Sequence, residues 1–161
     1  MGFSRAGSGL PVIDGKDLQP ISGRLHGTLK VQGAEDIAVT ATSLYFYWVK
    51  EPPYFFLLVE DTKIGMELTL RGDKLEAEKR YSIGMEPGDV EAGFFWKGST
   101  GHSQSDKVGG LNVMFITPGE DFETIEGYFS FGYKELGEGF ERQVDFSCPS
   151  FSLRVPKLTV L

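Results

Sequence analysis

The stretch that decides the fold is ISGRLHGTLKVQ, residues 21–32, in which apolar or small side chains alternate with polar ones. Leu25 and Leu29 fall on one side of an extended chain. Arg24 and Lys30 fall on the other side. A period of two residues is typical of a β-strand that buries one face and exposes the other to solvent.

The same alternation, or a continuously apolar run, recurs along the rest of the chain. We expect further strands at 37–49, 54–59, 64–70, 81–84, 92–97, 111–117, 125–133, 143–148 and 151–155. Residues 73–80 have a helical composition, but their short length predicts one helical turn or a charged connection. About nine to ten short strands separated by turn residues predict an all-β fold, a single antiparallel β-sandwich of jelly-roll-like size.

We expect residues 21–156 to form this sandwich. A flexible or loosely packed N-terminal segment, 1–20, precedes it, and a C-terminal tail, 157–161, follows it. Composition agrees with this division, since the chain has 21 glycines among 161 residues and is 13% aromatic. Glycine disfavours helices, whereas aromatic side chains pack well on pleated sheets.

The charge of the chain excludes two classes of partner. The formal net charge is −7, and no three basic residues follow one another. Proteins that track phosphate groups usually carry a basic stripe, so we expect neither nucleic acid nor an anionic membrane as partner. No apolar run reaches the roughly 18 residues of a transmembrane helix, and the first residues lack the apolar centre of a signal peptide. The default expectation is a cytoplasmic protein, although a leader removed beforehand would leave the same sequence.

A single cysteine, Cys148, falls in phase with Val144 and Phe146 on a predicted strand. It has no second cysteine to pair with, so we expect a buried and unreactive thiol. His26 and His102 are the only histidines. Together with one thiol they are too few for a closed zinc site of His and Cys ligands.

The acidic turns make calcium the one candidate metal. Glu120, Asp121 and Glu123 lie close together after a predicted strand, and loops of β-sandwiches do assemble calcium sites. These residues lack the spacing of a known calcium loop, which favours an ordinary solvated turn. We therefore predict no cofactor, with calcium at these three residues as the alternative.

The most informative feature is the aromatic stretch LYFYWV, residues 44–49, which is apolar or aromatic on both faces. If one alternating set faces the core, the other set, Tyr45, Tyr47 and Val49, faces outward. Either both faces of this strand are covered, or the outer face is a binding patch.

Two further residues flank the longest predicted loop, 98–110. Trp96 precedes the loop and His102 lies within it. A loop of this length is often functional, so we take both residues as candidates for the rim of a binding site.

These patterns predict a non-catalytic binding or protein-interaction module that uses the aromatic strand face and the acidic loops. A partner protein or a second copy of the chain is favoured over a small molecule, because Tyr and Trp suit protein interfaces. One alternative is a carbohydrate-binding domain that uses Tyr, Trp and loop carboxylates. The other is a hydrolase that uses a pair of loop carboxylates, which would require titratable groups to converge in one pocket.

Overall fold

Antiparallel pairing joins twelve strands into two sheets within residues 18–50, 53–86, 88–99 and 103–157, which the computed structural model describes. The strands are β1 (Gln19–Pro20), β2 (Ser22–Val31), β3 (Ile37–Thr40), β4 (Ser43–Lys50), β5 (Pro53–Asp61), β6 (Met66–Asp73), β7 (Lys79–Ile83), β8 (Glu91–Phe95), β9 (Ser103–Gln104), β10 (Val108–Pro118), β11 (Phe122–Gly137) and β12 (Phe140–Pro156). Those described residues contain no helix that is long and apolar enough to cross a membrane.

The two sheets differ in size. One has five strands in the order β1-β4-β5-β6-β8. The other has seven, in the order β3-β2-β12-β11-β10-β7, with β9 paired to β11. The predicted all-β antiparallel β-sandwich is confirmed.

A single main core lies between the sheets, and the apolar side chains of the alternating strands fill it. Leu25 and Leu29 of β2 are buried there as the sequence pattern requires. Aromatic rings form much of the core: Phe46 stacks on Phe55 at 6.3 Å, and the Phe94 ring meets the Phe131 ring edge-on at 5.7 Å. Burying each such ring contributes about 1.5–3 kcal/mol to stability.

The predicted strand 37–49 is in fact two strands that belong to different sheets. β3 lies in the seven-stranded sheet and β4 in the five-stranded one. Between them the Ala41 N–H donates to the Leu25 carbonyl of the seven-stranded sheet at 3.0 Å. The next amide, that of Thr42, donates to the Glu60 carbonyl of the five-stranded sheet at 2.7 Å. The chain thus changes sheets within two residues, while its alternation continues almost unbroken.

The predicted strands 143–148 and 151–155 are one continuous strand, β12. The pairing register of β12 with β2 shifts between Ser147 and Ser150. This shift is a β-bulge, and it contains Pro149. Proline has no N–H to donate, so it is tolerated where a bulge interrupts the ladder.

Residues 74–78 form a charged connection rather than a helical turn. The Tyr81 hydroxyl organises it by donating to the Lys74 carbonyl at 3.0 Å and accepting from the Glu76 N–H at 2.8 Å. Glu78 has a φ of 58°, a left-handed conformation that breaks a helix.

Residues 18–20, at the N-terminal end of the described chain, pack against the five-stranded sheet. Leu18 is buried, and Gln19 and Pro20 pair with β4, although all three fall in the segment expected to be loosely packed. Pairing with β4 satisfies the backbone groups of this short strand, which accounts for its order. Residues 1–17 and 158–161 lie outside the described residues.

Candidate functional site

The predicted aromatic patch lies on the outer face of the five-stranded sheet. Tyr45 is opposite Leu58, and Tyr47 is opposite Phe56. These four side chains and Leu18 form a second hydrophobic cluster, separate from the main core. Tyr45 and Tyr47 are half-buried in this cluster. Both faces of β4 are therefore packed, which is the first of the two outcomes that the sequence left open.

Most of this outer face is shielded from solvent. Leu58 is 0% exposed although it points away from the main core. The Arg71 guanidinium contacts the Glu91 carboxylate at 2.9 Å in a largely buried ion pair on the same face. Burial also raises the pKa of the Tyr54 hydroxyl above its ordinary value of 10.0. Val49, the third predicted residue, lies in β4 opposite Tyr54.

Trp96 lies at one end of the sandwich, half-buried against the main core. Its indole N–H is buried and has no hydrogen-bond partner among the described residues. A side chain at Gly98 would collide with its ring. Next to it, Arg142 donates to the Gly98 carbonyl at 3.0 Å and to the Glu135 carboxylate at 3.1 Å. Glu135 is 1% exposed, so this ion pair is buried on its acidic side.

Tyr133 lies beside the same ion pair and was missed by sequence reasoning. Its hydroxyl is buried and has no hydrogen-bond partner among the described residues. Burial, followed by the negative charge of Glu135, raises its pKa well above the ordinary value, so the hydroxyl keeps its proton. The Lys107 ammonium lies 4.9 Å from the ring centroid. Unpaired buried donors of this kind usually bind ordered water. Trp96 therefore borders a polar cluster, and His102 lies outside the described residues.

The carboxylates of Glu120, Asp121 and Glu123 do not form a metal site in the described structure. Glu120 and Asp121 line a shallow pocket of about 280 Å³ that Arg154 also borders, whereas Glu123 lies outside it in β11. In the described part of the chain, no three His, Cys, Asp or Glu side chains form a group that could hold a metal ion. The Arg154 guanidinium, 4.1 Å from the Phe122 ring centroid, places a positive charge next to these carboxylates.

Cys148 is buried in the main core, as the sequence predicts. It is 1% exposed, and its thiol donates to the Ser150 carbonyl at 3.5 Å. Burial raises the pKa of the thiol from 9.0 to about 12. A thiol in this state is a poor nucleophile.

The outer face of the seven-stranded sheet is open to solvent and was not predicted as a site. Its exposed rings include Tyr128 of β11, which is 44% exposed, and Phe115 of β10, which is 58% exposed and pairs with Glu126 in the neighbouring row. On one side Tyr128 pairs with Asn112, which in turn pairs with Arg80. On the other side it faces the bulge that contains Ser150, and Ser150 pairs with His26. These five residues form a row across the sheet, which we call the Tyr128 row.

A second row beside it consists of small side chains. The register connects Ser82 of β7, Gly110 of β10, Ser130 of β11, Ser147 of β12 and Thr28 of β2. We call this row the small-residue trough. With about 4.8 Å between strands, it is about 20 Å long. The Arg80 guanidinium lies over Gly110, where a Cβ atom would be only 3.1 Å from its Nη2.

This outer face also collects positive charge. Its cationic side chains, all exposed, are Arg24, Lys30, Arg80, Lys134 and Arg154. Its anionic side chains are Glu126, Glu141 and Asp145. With Asp36, which forms an ion pair with Lys30 at 4.0 Å, counted among the anions, the face has an excess of one positive charge on a chain whose net charge is −7.

The alternation of β11 does contain part of this signal, because it places Tyr128 opposite to the buried Phe129 and Phe131. Asn112 comes from β10, which directly precedes β11, but the sequence cannot show that His26 of β2 also lies near Tyr128, since β2 is distant in the chain. The strand order and the bulge in β12 bring them together.

Compared with known proteins, the chain matches no protein-family profile, no curated protein and no solved structure.

Proposed function

We propose that this protein is a non-catalytic binding module whose ligand is an extended carbohydrate chain, bound on the outer face of the seven-stranded sheet. The observation that carries the proposal is the exposed Tyr128 ring beside the small-residue trough. An aromatic ring with one open face is suited to stack on the apolar face of a sugar.

Polar side chains surround the ring at the positions where a stacked sugar would present its hydroxyl groups. Asn112 is half-buried on one side, and Ser150 and His26 are exposed on the other. Amide, hydroxyl and imidazole groups both donate and accept hydrogen bonds, as sugar hydroxyls do. The trough lets a chain approach the sheet closely at Ser130, Ser147 and Thr28, whereas the Arg80 guanidinium covers Gly110.

Two carboxylates of this face, Glu126 and Asp145, are too far apart to act together as a hydrolytic pair. Glu126 pairs with Ser152, and Asp145 pairs with Gly132, six positions further along β11. At about 3.4 Å per residue these two carboxylates are about 20 Å apart along the strand. Glycoside hydrolysis requires two carboxyl groups within roughly 5–10 Å of each other. This separation favours binding without cleavage.

Titration calorimetry with a panel of neutral and acidic oligosaccharides tests the proposal. We expect Tyr128→Ala to weaken binding about tenfold, since stacking contributes about 1 kcal/mol or more, and Tyr128→Phe to keep it. Tyr47→Ala on the opposite sheet is the control and should leave the affinity unchanged. The proposal is wrong if no oligosaccharide binds, or if incubation with the protein releases new reducing ends.

The second candidate is contact with a partner protein or with a second copy of the chain through the five-stranded sheet. Tyr45 and Tyr47 keep part of their surface accessible, and Phe95 at the edge strand β8 of the same sheet is 51% exposed. Aromatic side chains of this kind are enriched at protein interfaces. Acidic side chains on this face, such as Glu67, would then favour a basic partner.

A further inference from the structure

Two exposed arginines on the seven-stranded face form no ion pair with any residue that the structure describes. Arg80 lies at one end of the Tyr128 row, and Arg24 lies in the adjacent row, paired with Ser152. Among the described residues neither makes an ion pair, whereas Lys30 pairs with Asp36 at 4.0 Å. Both guanidinium groups are exposed and available to a ligand.

Nearby acidic groups do not cancel this charge. Glu126 lies in the row of Arg24, but two strands away, which is about 10 Å at the usual strand spacing. Asp145 lies opposite Lys30, which also pairs with Asp36, so two carboxylates accompany one ammonium group in that part of the face. The uncompensated positive charge is therefore concentrated on Arg24 and Arg80, on the rows that flank and include Tyr128.

We infer that the carbohydrate bound here is acidic, a chain bearing carboxylate or sulfate groups, and that Arg24 and Arg80 bind those groups while Tyr128 stacks on the sugar ring. This inference rests on the proposed function and specifies its ligand. A guanidinium binds a carboxylate or sulfate through two parallel hydrogen bonds, which a neutral sugar does not offer. On a chain whose net charge is −7, this local excess of positive charge favours an anionic ligand at this face.

The test compares each acidic probe with its own neutral form. One pair is a short oligogalacturonate and its fully methyl-esterified form, and the other is a sulfated oligosaccharide and its desulfated form. We expect at least one acidic probe to bind about tenfold more tightly than its neutral form in low salt, with the difference shrinking as salt is added. The two pairs distinguish carboxylate from sulfate as the recognised group.

Charge-neutral variants identify the side chains involved. Arg24→Gln/Arg80→Gln should weaken binding of the acidic probe about tenfold and leave binding of the neutral form unchanged. Lys63→Gln/Lys97→Gln is the matched control, because it removes the same charge from exposed positions away from this face. Circular dichroism of both variants establishes that they are folded.

Three results overturn the inference while the proposed function stands: equal affinity for acidic and neutral forms, no effect of the arginine substitutions, or equal weakening by the lysine control. Tight binding of a single-stranded oligonucleotide of the same charge also overturns it, since the face would then bind any polyanion. If neither acidic nor neutral oligosaccharides bind, both the inference and the proposed function are wrong.

Discussion

Both sheets are antiparallel, yet their outer faces have opposite properties. The five-stranded sheet presents aromatic and aliphatic groups such as Phe56 and Leu58, and most of them are buried. The seven-stranded sheet presents serine and glycine beside the exposed rings of Tyr128 and Phe115. The aromatic face is thus mainly a packing layer, and the polar face is the accessible one.

The sign of the charge also differs between the two faces. Acidic side chains dominate the five-stranded face, where Glu60, Glu67 and Glu91 outnumber Arg71. Cations outnumber anions on the seven-stranded face. Aromatic content alone is therefore a poor guide to a binding surface, because burial decides whether a ring can reach a ligand.

The largest expected effect tests whether the five-stranded face is a packing layer. Leu58→Ala should lower the free energy of unfolding by about 2–5 kcal/mol, as in a core, although Leu58 lies outside the main core. Ser130→Ala, on the opposite face, should change it by less than about 0.5 kcal/mol. Urea denaturation measures both variants. A loss below about 1 kcal/mol for Leu58→Ala would show that this face is only loosely covered.

The buried thiol of Cys148, in the core between the two sheets, should make the stability of the protein fall at alkaline pH. The Cys148 pKa is raised from 9.0 to about 12, so the unfolded thiol loses its proton above pH 9 while the folded one keeps it. Stability therefore falls as pH rises from 9 towards 12, by up to about 1.4 kcal/mol per pH unit for this group. In Cys148→Ala the slope of unfolding free energy against pH should be smaller. An unchanged slope would show that this thiol does not contribute.

A smaller effect separates packing from association on the five-stranded face. If this face is a contact surface, Tyr45→Ala/Tyr47→Ala should leave a folded monomer and weaken association by about 1 kcal/mol or more per residue. Sedimentation and thermal melting of the same variant measure the two quantities. A large loss of stability with unchanged association would exclude the contact surface and leave only the packing role.

The smallest expected effect is that of metal ions. Since Glu120, Asp121 and Glu123 form no ligand group in the described structure, neither chelator nor added calcium should shift the melting temperature. A calcium-dependent rise of several degrees would instead establish a site in the acidic turn.

Much of the fold was predictable because it is set by local alternation. The buried and exposed positions of β2 follow directly from residues 21–32. The division of 37–49 between two sheets was not predictable, because Ala41 and Thr42 change their hydrogen-bond partners without changing the alternation. The predicted count of about nine to ten strands was too low, because the two-residue strands β1 and β9 are too short to show alternation and 37–49 forms two strands. The one change in the other direction is β12, in which Pro149 interrupts pairing within a single strand.

The candidate site was less predictable than the fold. Sequence reasoning identified Tyr45 and Tyr47 as outward-facing, which the register supports, but solvent exposure depends on what packs above them. The Tyr128 row joins residues from five strands, and only long-range pairing reveals it. Chain order favours pairing of consecutive strands such as β10, β11 and β12, but it does not predict that β2 lies next to β12.

The most direct test of the account is an amide NMR titration of the whole protein with the oligosaccharide that binds best. Binding on the seven-stranded face predicts that the largest shift changes fall at Asn112, Tyr128 and His26, with little change at Tyr45 and Tyr47. Shift changes centred on Tyr45 and Tyr47 would contradict it and make the aromatic face the binding surface.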